Sequence, residues 1–102
     1  DARRLIESHQ MAERSFVLAD ACAAISDACG LSPREQEVMT LLAEGRDSPY
    51  IQSTLVIAQN TAKTHMRNVY RKTGVSNKQE LIAFTHEKLA RMKDEAVRPS
   101  DV

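Results

Sequence analysis

Three glycines divide this 102-residue chain, and each follows a segment whose apolar residues recur at helical spacing. Gly30 follows a seam of Met11, Leu18, Cys22, Ile25 and Cys29, separated by three, four or seven residues. Gly45 follows Val38, Met39, Leu41 and Leu42, and Gly74 follows Ala62, His65, Met66, Val69 and Tyr70. Glycine just past such a segment is the usual helix stop. The starts are marked as well. Ser32, Pro33 and Glu35 form an N-cap, a first-turn proline and a capping-box partner. Ser48 and Pro49 open a short helix carrying Ile51 and Leu55, and Ser76 with Gln79 opens a last helix with a stripe of Leu81, Ile82, Leu89 and Met92. With three prolines, two Tyr, two Phe and no Trp, the chain lacks the makings of a strand-and-turn fold. The expectation is an all-α protein of five helices: about 2–28, 33–44, 48–55, 59–73 and 77–96. Residues 97–102 read as a frayed tail.

A share of 42% apolar and 27% charged residues is that of an ordinary globular domain. No apolar run approaches the ~18 residues of a membrane span, and no signal-peptide pattern opens the chain, so a cytoplasmic location is expected. The first residue is Asp1 rather than Met, which reads as a piece of a longer protein. Cys22 and Cys29 lie two helical turns apart, about 10 Å, too far to bridge each other. They read as free thiols in a reducing compartment. His9 and His86 read as surface residues, and with no Cys/His ligand spacing neither a metal nor another cofactor is expected. Glu35 reads as a cap residue, and His65 as a packed or phosphate-proximal one. No nucleophile, base and oxyanion donor can be assembled, so the chain is not read as an enzyme.

Charge is distributed unevenly. The protein is neutral, with 14 basic and 14 acidic side chains. Residues 59–79 nevertheless hold Lys63, Arg67, Arg71, Lys72 and Lys78 without one Asp or Glu. Residues 1–30 carry three cations against five acids, 31–58 two against four, and 80–102 four against five. A neutral chain that gathers its cations on one amphipathic helix points to a polyanionic partner. A short helix, a turn at Val56, Ile57 and Ala58, and a cationic second helix form a helix-turn-helix layout, whose second helix fits the major groove of a DNA duplex.

The stretch LSPREQEVMTLLAEG followed by SPYIQSTLVIAQNTAKTHMRNVYRKTGVSNKQELIAF resembles the LuxR/NarL-type DNA-binding domain of bacterial transcription regulators, over roughly residues 31–84. The joint motifs, L-S-P-R-E, T-A-K-T-H and R-K-T-G-V-S-N-K-Q-E-L, carry the likeness. The resemblance implies a four-helix domain over 31–96, preceded here by an additional helix within 1–30 that serves as linker, dimerisation arm or part of the domain's own packing. It implies sequence-specific binding of double-stranded DNA as a homodimer, with RNA polymerase as a further partner and no small-molecule ligand in this fragment. Matched by motif, Lys63, Thr64 and Arg67 fall at base-reading positions, with Arg67 suited to a guanine. Asn60 and Thr61 fall at phosphate-contacting positions, and Arg71 and Lys72 are further backbone contacts. The family's dimer contact maps to the exposed residues between Lys78 and Lys88. Three positions depart from the family pattern. Ala58 stands where a serine caps the recognition helix, Gln52 where a small residue lets two helices cross, and Ala62 where a valine is usual. The missing cap costs about 0.5–2 kcal/mol. Two other readings compete: the promoter-recognition region of a sigma factor, which shares the L-S-P-R-E opening, and a dimerising interaction module that no longer binds DNA.

Overall fold

The computed structural model describes residues 16–97. They form five α-helices: α1 (Leu18–Cys29), α2 (Pro33–Ala43), α3 (Ser48–Leu55), α4 (Gln59–Thr73) and α5 (Lys78–Val97). Among the described residues there is no strand, which agrees with the all-α expectation.

Among the described residues, α1 starts at Leu18, and the continuous helix that the periodicity predicts through Phe16 and Val17 is broken there. Phe16 and Val17 are not helical, and Val17 is extended, with φ −123° and ψ 174°. The Val17 N–H donates to the Asp20 carboxylate at 2.7 Å, which anchors the first turn of α1. Residues 2–15 of the expected helix, with Met11 of its seam, lie outside the described residues, as does the tail beyond residue 97. From Leu18 onward the helix packs on its own domain. Its buried side chains, Ala21, Cys22, Ile25 and Ser26, lie against α5 and α2. Gly30, at φ 72°, reverses the chain, and the Leu31 N–H closes on the Ser26 carbonyl at 3.0 Å.

Helix α2 is the hub. It packs against α1, α4 and α5, and buries Val38, Met39, Leu42 and Ala43. The core is completed by Ile51 of α3, Ala62 and Val69 of α4, and Leu81 of α5, all fully shielded from solvent. Burial of each of the larger side chains, Met39, Leu42, Ile51 and Leu81, contributes roughly 1.5–3 kcal/mol. Thr85, the one polar side chain in this layer of α5, hydrogen-bonds to the Ile82 carbonyl at 3.0 Å.

Two helix starts differ by one residue from their sequence reading. The cap of α3 is Asp47, whose carboxylate accepts from the Tyr50 N–H at 3.0 Å, with Ser48 already inside the helix. At α5, Asn77 replaces the expected Ser76, accepting from the Glu80 N–H at 2.9 Å. Glu80, in place of Gln79, reaches back to the Ser76 N–H at 3.0 Å. In both cases an ionised carboxylate sits at the positive end of a helix, which a serine hydroxyl or a glutamine amide matches less well.

The turn between α3 and α4 carries an unfavourable residue. Val56 adopts φ 54° and ψ 56°, the left-handed region, and its side chain is 88% exposed. A β-branched residue there costs on the order of 1–3 kcal/mol. The strain is held by main-chain bonds, since both the Val56 and Ile57 N–H groups bond to the Gln52 carbonyl. Val56→Gly is expected to raise the unfolding free energy by about 1 kcal/mol and Tm by roughly 4–8 °C in thermal unfolding. An unchanged or lower Tm would remove the strain argument.

Candidate nucleic-acid interface

Helix α4 has two faces. Ala62 and Val69, seven residues apart, are fully buried against α2 and α3, with His65, Met66 and Tyr70 half-buried beside them. Burial raises the Tyr70 phenol above its ordinary pKa, so it stays neutral on this face. Asn60, Thr61, Lys63, Thr64, Arg67 and Arg71 are all exposed. The 3.6-residue period dictates this division, because the core claims only the stripe through Ala62, Met66 and Val69.

Six of the seven residues singled out from sequence therefore share the outward side of one helix. Lys63 and Arg67 make no hydrogen bond or ion pair with any described residue. The Arg71 guanidinium accepts some direction from its own helix, donating to the Asn68 amide oxygen at 3.3 Å. The Thr64 hydroxyl donates to the Asn60 carbonyl one turn back, at 2.9 Å. Ala58 stands at the N-cap without a side-chain hydrogen bond, so the N–H groups of the first turn face outward unmatched. The helix ends at Gly74, φ 78°, with Arg71 and Lys72 in its last turn, where cations complement the carbonyl end of the dipole.

Lys72 is the exception. Its ammonium turns away from the outward face and meets the Glu35 carboxylate at 2.7 Å, with the Gly30 carbonyl at 3.3 Å. Glu35 is thereby shared between two tasks. It caps α2, accepting from the Ser32 N–H at 3.0 Å while Ser32 Oγ accepts from the Glu35 N–H at 3.2 Å, and it clamps the end of α4. The Lys72 ammonium, and then the Ser32 N–H, hold the Glu35 carboxyl down at about 2. Sequence reading found the cap but missed the clamp, because its partners lie 37 residues apart. Opposite charges at two helix termini were the only available hint.

Other long-range ties fix α5 to the end of α2. Lys78 Nζ donates to the Gly45 carbonyl at 3.1 Å, and His86 Nε2 lies 3.4 Å from the Ala43 carbonyl. Gln52, at the helix crossing, is half-buried and donates to the Ser48 hydroxyl at 3.1 Å, so its bulk is accommodated within α3. Glu80, the first acid after the cationic stretch, is engaged in capping α5. The field over α4 is thus positive and is not cancelled by carboxylates of its own segment.

A concavity of about 460 Å³ lies between α2 and α3, lined by Gln36, Thr40, Leu41 and Leu55, and no α4 residue contributes to it. An exposed cationic helix face suits insertion into a partner's groove, not enclosure of a small ligand. Cys22 is buried and Cys29 half-buried, both as free thiols; burial pushes the Cys22 thiol up and away from reactivity. Among the described residues no group of His, Cys, Asp and Glu is placed to hold a metal ion, and no helix is long and apolar enough to cross a membrane.

Comparison with known proteins agrees with this geometry. Residues 30–85 match the family described as bacterial regulatory proteins, luxR family. The chain is 42% identical over 53 residues to a probable transcriptional regulatory protein NarL of Mycobacterium tuberculosis, covering 52% of this chain and 24% of that protein. It is 37% identical over 62 residues to the HTH-type transcriptional regulator MalT of Serratia proteamaculans, covering 61% of this chain and 7% of that one. A monoamine regulon transcriptional regulator of Klebsiella aerogenes is 38% identical over 55 residues, 54% of this chain and 24% of its own length. The match therefore spans a quarter or less of each of these relatives, and no solved structure matches significantly. The family match covers over half of the chain and coincides with α2 to α4 and the start of α5, so this is a helix-turn-helix DNA-binding domain, and the chain belongs to the luxR family of bacterial regulatory proteins.

Proposed function

We propose that this chain binds double-stranded DNA sequence-specifically to regulate transcription, with α4 in the major groove and two copies joined through α5. The observation that carries the reading is the outward face of α4. Lys63, Thr64 and Arg67 are exposed together there, and no acid occurs from residue 59 to 79. Base edges fall to those three side chains, and phosphates to Asn60, Thr61 and Arg71. The names of the relatives, all of them regulators, support the same role. On α5, Gln79, Ala83 and Glu87 are exposed for a second copy. RNA polymerase is a further partner in this reading, and the cytoplasm is the location it implies.

The test is DNA selection from a random pool followed by a salt titration on the enriched duplex. Five cations on residues 59–79 would set a log–log slope near −4 to −5 per subunit. Lys72 is neutralised within the fold; Arg71 alone on phosphate sets a slope near −1 per subunit, rising to about −3 where Lys63 and Arg67 also screen phosphate charge from within the groove. Binding that ignores salt, or a pool with no enriched sequence, would sink the proposal.

A further inference from the structure

Thr64 differs from its neighbours on the outward face of α4 in one respect: its hydroxyl proton is already engaged. Oγ1 donates to the Asn60 carbonyl at 2.9 Å, while the residue remains exposed. A threonine in this state has no proton left for an acceptor. Guanine N7 and O6, adenine N7 and thymine O4 are all acceptors, so Thr64 reads none of them by donation. Two features of the major groove remain. The amino groups of adenine and cytosine would need the lone pairs of Oγ1, and the thymine C5-methyl would need an apolar partner. Oγ1 keeps its lone pairs but is held against the Asn60 carbonyl, and the γ-methyl is the part of this exposed side chain that makes no bond to the helix.

We propose that Thr64 specifies a thymine in the operator by packing its methyl group on the thymine C5-methyl. The inference deepens the DNA-binding reading above and rests on it. Lys63 and Arg67 offer only donors, so neither distinguishes thymine by its methyl. Thr64 and Arg67 are three residues apart, about 4.5 Å along the helix. That is little more than the ~3.4 Å that separates successive base pairs along the duplex axis. The thymine therefore lies within one or two base pairs of the guanine taken by Arg67.

The experiment uses the full chain and the duplex it enriches from a random pool. Each thymine is replaced in turn by deoxyuridine, which lacks only the methyl. For the unaltered protein, one thymine beside the guanine is expected to show weakening of about fourfold, the effect of one methyl group removed from water. Thr64→Val retains the methyl and loses the hydroxyl, and keeps that fourfold preference. Thr64→Ser retains the hydroxyl and loses the methyl, and binds the thymine and deoxyuridine duplexes equally. Val, Ser and Thr have similar helix propensities at an exposed position, and thermal unfolding checks that both variants fold. Three results would overturn the assignment: no thymine sensitive to the exchange, a preference kept by Ser and lost by Val, or a preference undiminished in Ser, which would place it in DNA shape. A pool that enriches no sequence removes the DNA-binding reading along with the assignment, whereas an enriched site indifferent to deoxyuridine removes the assignment alone.

Discussion

Glu35→Ala is expected to lower the unfolding free energy by about 3 kcal/mol at neutral pH, combining a lost helix cap with a broken, largely buried ion pair. The side chain is 7% exposed and its partner Lys72 28%, so solvent screens the pair only partly. Removing the carboxylate leaves the Ser32 N–H without its acceptor and the Lys72 ammonium against the Gly30 carbonyl alone. The sign of the pH dependence follows from the carboxyl being held at about 2 in the folded protein, below its ordinary 4.5. The unfolded chain binds the proton more readily, so the contribution is complete above the ordinary value and disappears as pH falls from there through about 2. Urea unfolding across that interval should show the parent losing stability and the Ala variant losing much less. Equal stability of the two at neutral pH would refute the clamp. Lys72→Met provides a companion measurement. It should destabilise the fold while leaving the salt slope of DNA binding unchanged, because that charge is matched inside the protein.

Arg67→Ala is expected to cost DNA affinity at one base position by about 1–3 kcal/mol, a factor of roughly 5 to 150, with no loss of fold stability. Arg67 is exposed and bonds to no described residue, so its removal leaves nothing unpaired in the protein. Its guanidinium can meet guanine O6 and N7 together, which a lysine cannot do with the same geometry. Selection with the variant should then show relaxed preference at a single position while the rest of the site is retained. Uniform weakening across all sequences would identify Arg67 as a phosphate contact instead.

Much of this architecture could be read from residue order. Gly30, Gly45 and Gly74 mark the ends of α1, α2 and α4, since a left-handed residue after a helix is a local requirement. Ser32, Pro33 and Glu35 mark the start of α2 for an equally local reason. The division of α4 into buried and exposed faces follows from the 3.6-residue period and the position of Ala62 and Val69. Less legible were the starts of α1, α3 and α5. Asp20, Asp47 and Asn77 compete there with nearby serines and with continued helical periodicity, and only formed geometry decides which oxygen reaches which N–H. The left-handed Val56 was also hidden, because nothing in its side chain favours that conformation.

The sequence by itself determined the helices, their order, and the gathering of Lys63, Arg67 and Arg71 on one face, because caps, stops and amphipathic period act within a few residues of each other. Only the tertiary structure decided that Lys72 belongs to the interior clamp and not to the cationic face, and that α1 packs against α5 and α2. Both depend on residues far apart in the chain being brought within a few ångströms. Ion pairing and close packing at that range arise from the folded arrangement, and no local pattern encodes them.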